Sequence, residues 1–192
     1  VYGPEVAKPS IDSELIYQRA REVLDAEGPH GLTARRLASD LGISTSTLYQ
    51  RIGHRDELVH KVVARHFAEL RLDVSEQGDW ESTAFDWCQL LLADLRTHPH
   101  LTELMTYADR ASVMLLIDQL AAAMVRDGLA APLVADCSRA LVELTLDHAL
   151  ADARASRLDV MRTPRSDPRD GGQTFERAVR WMLVGVRADA TR

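Results

Sequence analysis

The sequence predicts an all-α protein: a three-helix N-terminal domain, a long fourth helix leading out of it, and a larger C-terminal helical domain. Three observations carry that expectation. Apolar residues recur at spacings of three and four, and no stretch alternates for long as a half-buried strand would. Gly and Pro fall between the periodic segments, as at Gly28-Pro29, Gly42, His98-Pro99-His100 and Asp127-Gly128. A hydrophobic content of 46% with 27% charged residues in 192 residues supplies enough apolar surface for a packed core.

The first helix is expected from Asp12 or Ser13, either of which can cap free amides, with Leu15, Ile16, Arg19, Ala20, Val23 and Leu24 on one stripe and a stop at Gly28-Pro29. Thr33 can cap a short helix through Leu41, and Ser44 a second through Ile52, with Gly42 supplying the turn between them. Leu37, Leu41, Ile43, Leu48 and Ile52 form their shared apolar side, and Ala38 is small where the two must approach. Two helices joined by a three- to four-residue turn containing Gly make a helix-turn-helix, whose second helix enters the major groove of DNA. Its outward residues suit base edges and phosphates: Ser44, Thr45, Ser46 and Thr47 are short hydroxyls, and Tyr49, Gln50 and Arg51 reach further. A fourth helix is expected from about Arg55 to Val74, with Leu58, Val59, Val62, Val63, His66, Phe67 and Leu70 inward. The polar segment 75–79 marks a boundary, giving domains 11–74 and 75–192.

Further helices are expected over Trp80–His98, Leu101–Tyr107, Ala111–Arg126 and 132–156. A long loop is expected over 157–173, which holds Pro164, Pro168 and Gly171-Gly172. A last helix, capped by Thr174, carries Phe175, Val179, Met182, Leu183 and Val186. The 132–156 helix is apolar on nearly two sides and should pack against two partners, either one of them a second subunit or both within the same chain.

Charge is segregated. The whole chain is −6, yet from Leu32 to His66 six Lys and Arg face three acids, and from Phe67 onward fourteen face twenty. A basic front and an acidic body suit a protein that presents one end to nucleic acid. No run of eighteen apolar residues could span a membrane, and Val1–Ser10 lacks the basic-then-apolar pattern of a secretion signal, so a cytoplasmic protein is expected. Cys88 and Cys137 sit among apolar neighbours and read as buried thiols, although a disulfide between them stays open.

The pattern LTARRLA…LGIS…TLYQRI…RDEL between Leu32 and Leu58 resembles the DNA-binding signature of the tetracycline-repressor (TetR) family. Thr47-Leu48-Tyr49 and Asp56-Glu57-Leu58 are part of the match, which extends over about residues 13–70. The resemblance implies phosphate contacts by Tyr49, Thr33 and Arg55, with His54 at the same corner, and base contacts by Arg35, Thr45, Ser46 and Arg51. Gly53-His54 stands where Lys or Asn is frequent in that family, and Gln50 where an aromatic often sits. The resemblance further implies a homodimeric repressor, with double-stranded operator DNA and a small-molecule effector as partners, and a rear domain that dimerises and encloses a pocket. Trp87, Leu91, Met105, Met114 and Leu144 are the candidate apolar walls, and Tyr107, Asp147 and His148 the candidate polar groups, so a small apolar ligand is expected.

His148 reads as a core or interface histidine, and His98 and His100 as surface ones. No metal site and no cofactor are expected. Two other readings stay open: a DNA-binding regulator without a small-molecule effector, and a helical enzyme using His148. No nucleophile elbow, glycine-rich phosphate loop or His-Glu-x-x-His spacing supports the second, so catalysis is not expected.

Overall fold

A computed structural model describes residues 12–72, 78–106, 109, 113, 117–159 and 168–191. Its elements are α1 (Ser13–Gly31), α2 (Ala34–Asp40), α3 (Thr45–Ile52), α4 (Arg55–Glu69), α5 (Trp80–Thr97), α6 (Pro99–Leu104), α7 (Ile117–Arg126), α8 (Ala131–Asp159) and α9 (Pro168–Ala190). Among the described residues there is no strand, and no helix is long and apolar enough to cross a membrane. The chain divides into two compact units, Val1–Val62 and Val63–Arg192, the division falling within α4.

In the smaller unit Asp12 caps α1, its carboxylate accepting from the Glu14 amide at 3.2 Å. The helical conformation breaks at Gly28, followed by Pro29, as expected, and one further turn leads to Gly31. Ile16, Ala20, Val23 and Leu24 of α1 are buried with Leu32, Leu37, Ala38, Leu48 and Ile52. Leu15, read as part of the stripe, is 48% exposed, because the buried arc is centred on Ile16 and Ala20. Leu41 and Ile43 are only half-buried.

In the larger unit α8 is the axis: α5, α6, α7 and α9 all pack against it. Val134, Cys137, Leu141, Val142, Leu146 and Ala149 are buried there with Trp87, Leu91, Leu92 and Leu95 of α5 and Phe175, Val179 and Leu183 of α9. Much of the apolar surface of α8 is thus covered by helices of the same chain, while Leu133, Leu144 and Leu150 stay half-buried. Cys88 and Cys137 are free and buried, and burial pushes their thiols up to about 12 and about 11, so neither is a reactive thiolate. Asp79 caps α5, accepting from the Ser82 amide at 2.8 Å, a bond that also holds its carboxyl below the usual range. The Trp80 amide donates to Asp127 at 2.7 Å, fixing the start of α5 to the residue after α7.

The ends of α8 and α9 correct the loop expected over 157–173. Helix continues to Asp159 and resumes at Pro168, so Thr174 lies inside α9 rather than at its cap; residues 160–167 lie outside the described residues. Proline is well suited to a first helical position, and each internal glycine costs only about 1 kcal/mol relative to alanine, which a packed 23-residue helix absorbs.

Candidate nucleic-acid interface

The helix-turn-helix is built by its caps. Thr33 accepts from the Arg36 amide at 3.2 Å and starts α2. Gly42 turns the chain at φ 65°, and the Ile43 amide donates back to the Ala38 carbonyl at 2.9 Å, closing the turn. Ser44 then accepts from the Thr47 amide at 3.0 Å and also pairs with the Thr47 hydroxyl at 2.8 Å. Ala38 is 3% exposed, so a larger side chain there would force α2 and α3 apart.

These bonds divide the four hydroxyl residues read as DNA contacts. Ser44 and Thr47 are occupied with each other at the helix start, and Thr47 is half-buried. Thr45 and Ser46 are exposed, together with Tyr49, Gln50 and Arg51. Residues 45, 46, 49 and 50 share one outward arc of α3, bordered on one side by the buried Leu48 and Ile52. Tyr49 is 46% exposed, a high value for an aromatic side chain, and with His54, Arg55 and Asp56 it lines an open depression of about 480 Å³.

The basic residues are also divided. Arg35 and Arg36 are both exposed, but Arg36 pairs with Asp40 and Glu27, each at 3.0 Å, so its charge is compensated within the unit. Hydrogen bonds from Arg19 and then from Arg36 hold the Asp40 carboxyl below the usual carboxylate range. Arg55 is exposed, but it donates from Nε to the Leu32 carbonyl at 3.4 Å and from a terminal nitrogen to the Pro29 carbonyl at 3.1 Å. It therefore ties the start of α4 to the segment before α2, and its other N–H groups are what it can offer a phosphate.

Sequence reasoning passed over the demand made by Gly53. It ends α3 at φ 73°, ψ −146°, close to a region of backbone space that only glycine occupies without strain, and its amide donates to the Tyr49 carbonyl at 2.9 Å. The Asn frequent at this corner in the TetR family would not be neutral here. Gly53→Asn is expected to lower the stability of the smaller unit by about 1–3 kcal/mol, read as a shifted denaturant midpoint at unchanged slope. A midpoint equal to the parent's would show that the loop relaxes freely.

Of the candidate effector residues, Trp87 and Leu91 are fully buried on one face of α5, Leu144, His148 and Met105 are half-buried, and Asp147 is exposed. Tyr107 and Met114 lie outside the described residues. The His148 ring lies 4.9 Å from that of Phe175, and its Nε2 is 3.7 Å from the Asp152 carboxylate. The Trp87 indole nitrogen is buried with no hydrogen-bond partner among the described residues.

Comparison with known proteins agrees with this geometry. Residues 16–62 match the profile of "Bacterial regulatory proteins, tetR family". The chain is 30% identical over 99 residues to the HTH-type transcriptional repressor DrrR1 of Streptomyces coeruleorubidus, a match covering 50% of this chain and 36% of that protein. It spans little more than a third of the length of the curated relatives it matches. Among solved structures, the TetR family protein ActR of Streptomyces coelicolor, in complex with (S)-DNPA, superposes with a TM-score of 0.72 at 22% identity, over 94% of this chain and 98% of that one. BioQ with its double-stranded DNA operator superposes with a TM-score of 0.70 at 21% identity, over 93% and 99%.

Proposed function

We propose that this chain is a homodimeric transcriptional repressor of the tetR type that binds operator DNA through α2 and α3 and is released by a small apolar ligand, a reading supported by the tetR-family match over residues 16–62 and by the partial likeness to a transcriptional repressor. The observation that carries the reading is the outward arc of α3, where Thr45, Ser46, Tyr49 and Gln50 stand clear of the packing that fixes the helix. Short hydroxyls near the start of a recognition helix can meet base edges, while Tyr49, Arg55 and the exposed Arg35 supply phosphate and base contacts.

The effector half of the proposal is supported by the apolar interior along α5, with Trp87 and Leu91, and by the buried unpartnered indole N–H of Trp87, which a ligand acceptor could satisfy. A structural neighbour, ActR, was solved with a small molecule bound, and another, BioQ, with its operator. A ligand that prefers a different arrangement of the dimer lowers operator affinity through a coupling free energy.

Selection of bound sequences from a random DNA pool tests the DNA-binding reading directly. Paired half-sites are expected, with centres one helical turn apart or a multiple of it. On the recovered operator, Tyr49→Ala should weaken binding to all sequences alike. Arg35→Ala and Thr45→Ala should relax preference at particular base pairs, by about 1–3 kcal/mol each. Enrichment of no sequence, or parent-like binding by all three variants, would overturn the assignment.

A further inference from the structure

Three side chains of the larger unit converge although nothing in their sequence positions relates the first to the other two. His66 in the last turns of α4, Asp94 near the end of α5 and His98, the residue that caps α5, each bring one potential ligand atom within 4.8 Å of the other two. We propose that His66, Asp94 and His98 form a binding site for a divalent transition-metal cation of the zinc type.

The arrangement is held from two directions. Asp94 and His98 are four residues apart and share one face at the end of α5. His66 comes from α4 with its side chain only 3% exposed, and its Nε2 lies 2.7 Å from the Asp94 carboxylate. The rings of His66 and His98 meet edge to face with centroids 4.9 Å apart, and Phe67 closes another side of His66 at 5.1 Å. The second nitrogen of His66, Nδ1, is buried with no hydrogen-bond partner among the described residues, so the Nε2 contact with Asp94 is what fixes this deeply buried ring. A buried imidazole whose Nε2 faces a carboxylate, with a second imidazole edge to face beside it, is a donor set that one cation can share.

The donor chemistry selects the ion. Two imidazoles and one carboxylate suit zinc and its neighbours in the first transition row, whereas magnesium and calcium require mostly oxygen donors. Ligands of one tetrahedral zinc at ~2.0–2.1 Å lie roughly 3.3 Å apart. The His66–Asp94 contact would open slightly to admit the ion, and the third ligand would close in. Asp94 and His98 are half-buried, so side-chain rotation can supply these movements and solvent can deliver the ion. Three protein ligands leave a fourth position for water. His148, the histidine singled out from the sequence, belongs to no such three-ligand group among the described residues; its Nε2 lies 3.7 Å from Asp152.

The proposal does not depend on DNA binding, and its test needs no operator. Zn²⁺ is titrated by calorimetry into the full chain after treatment with a chelator. One ion per chain is expected. His98→Ala and Asp94→Asn should each weaken binding by about tenfold or more, at least the loss seen when the outer partners of metal ligands are removed. His100→Ala, two residues away and outside the cluster, should bind like the parent. Co²⁺ should give the visible absorption of a nitrogen- and oxygen-ligated ion, without thiolate charge transfer, and His98→Ala should abolish it. His66→Ala removes a buried side chain and could unfold the unit, so the half-buried His98 and Asp94 carry the decision, with folding checked by circular dichroism. A parent chain that binds no Zn²⁺, or a His98→Ala variant that binds it like the parent, overturns the proposal.

Discussion

Replacing Val184 with Asp is expected to convert the protein from a dimer to a monomer in solution and to abolish tight operator binding. The ground is the outer face of α9. Its inner face buries Phe175, Val179 and Leu183, and its flank is fastened to α5 by Arg180 over the Phe85 ring at 4.2 Å and by the Arg187–Glu81 ion pair. Trp181 and Val184, one turn apart on the far side, are left 71% and 66% exposed. A large aromatic in that position is the kind of residue that anchors an interface. In a twofold dimer each residue acts twice. A loss of about 2 kcal/mol per Trp181→Ala therefore becomes about 4 kcal/mol, or a roughly thousandfold higher dissociation constant. Val184→Asp goes further by burying two uncompensated carboxylates. Analytical ultracentrifugation gives the assembly state, and circular dichroism should show both variants folded, because these positions are exposed in the single chain. A parent protein monomeric at micromolar concentration, or a dimeric Val184→Asp variant, would refute the expectation. Operator binding follows assembly, because two recognition helices must be held roughly 34–36 Å apart to meet successive turns of one DNA face.

The second large effect belongs to Leu48. It is fully buried on the inner side of α3, next to the exposed Thr45 and Tyr49. Leu48→Ala should cost about 2–5 kcal/mol, the usual range for a buried leucine truncated without collapse of the site. In a unit of some 60 residues, where the buried fraction is small and the stability margin correspondingly thin, that loss is enough to unfold the helix-turn-helix near 37 °C. A denaturant melt should show an early transition for this variant, and DNA binding should fall with it. Thr45→Ala is the control: exposed on the same helix, it should change stability by no more than about 0.5 kcal/mol while altering base preference. If Leu48→Ala melted with the parent, α3 would not owe its position to this side chain.

Much of the candidate DNA-binding face was legible because its determinants are local. Caps at Thr33 and Ser44, the turn at Gly42 and the apolar spacing of Leu37, Leu48 and Ile52 all act within a few residues of the chain. The structure has each of them where that reading expects. The same locality explains the errors at 157–173. Pro168 and Gly171-Gly172 are breakers by propensity, yet a helix held by tertiary packing overrides propensities worth about 1 kcal/mol.

What the sequence by itself determined, then, is the all-helical order of elements and the inward and outward sides of α3, since backbone hydrogen bonds, caps and 3.6-residue periodicity are properties of neighbouring residues. Tertiary structure alone decided which side chains are free to act. Arg35 and Arg36 are adjacent and chemically identical, but only Arg36 meets Asp40 and Glu27, the latter from another helix. The apolar residues of α8 are shared among α5, α6, α7 and α9, which only the placement of those helices shows. His66 and Asp94 are 28 residues apart, and their 2.7 Å contact depends on how α4 and α5 pack. Contacts of this kind are set by the positions of whole helices, which no single stretch of sequence specifies.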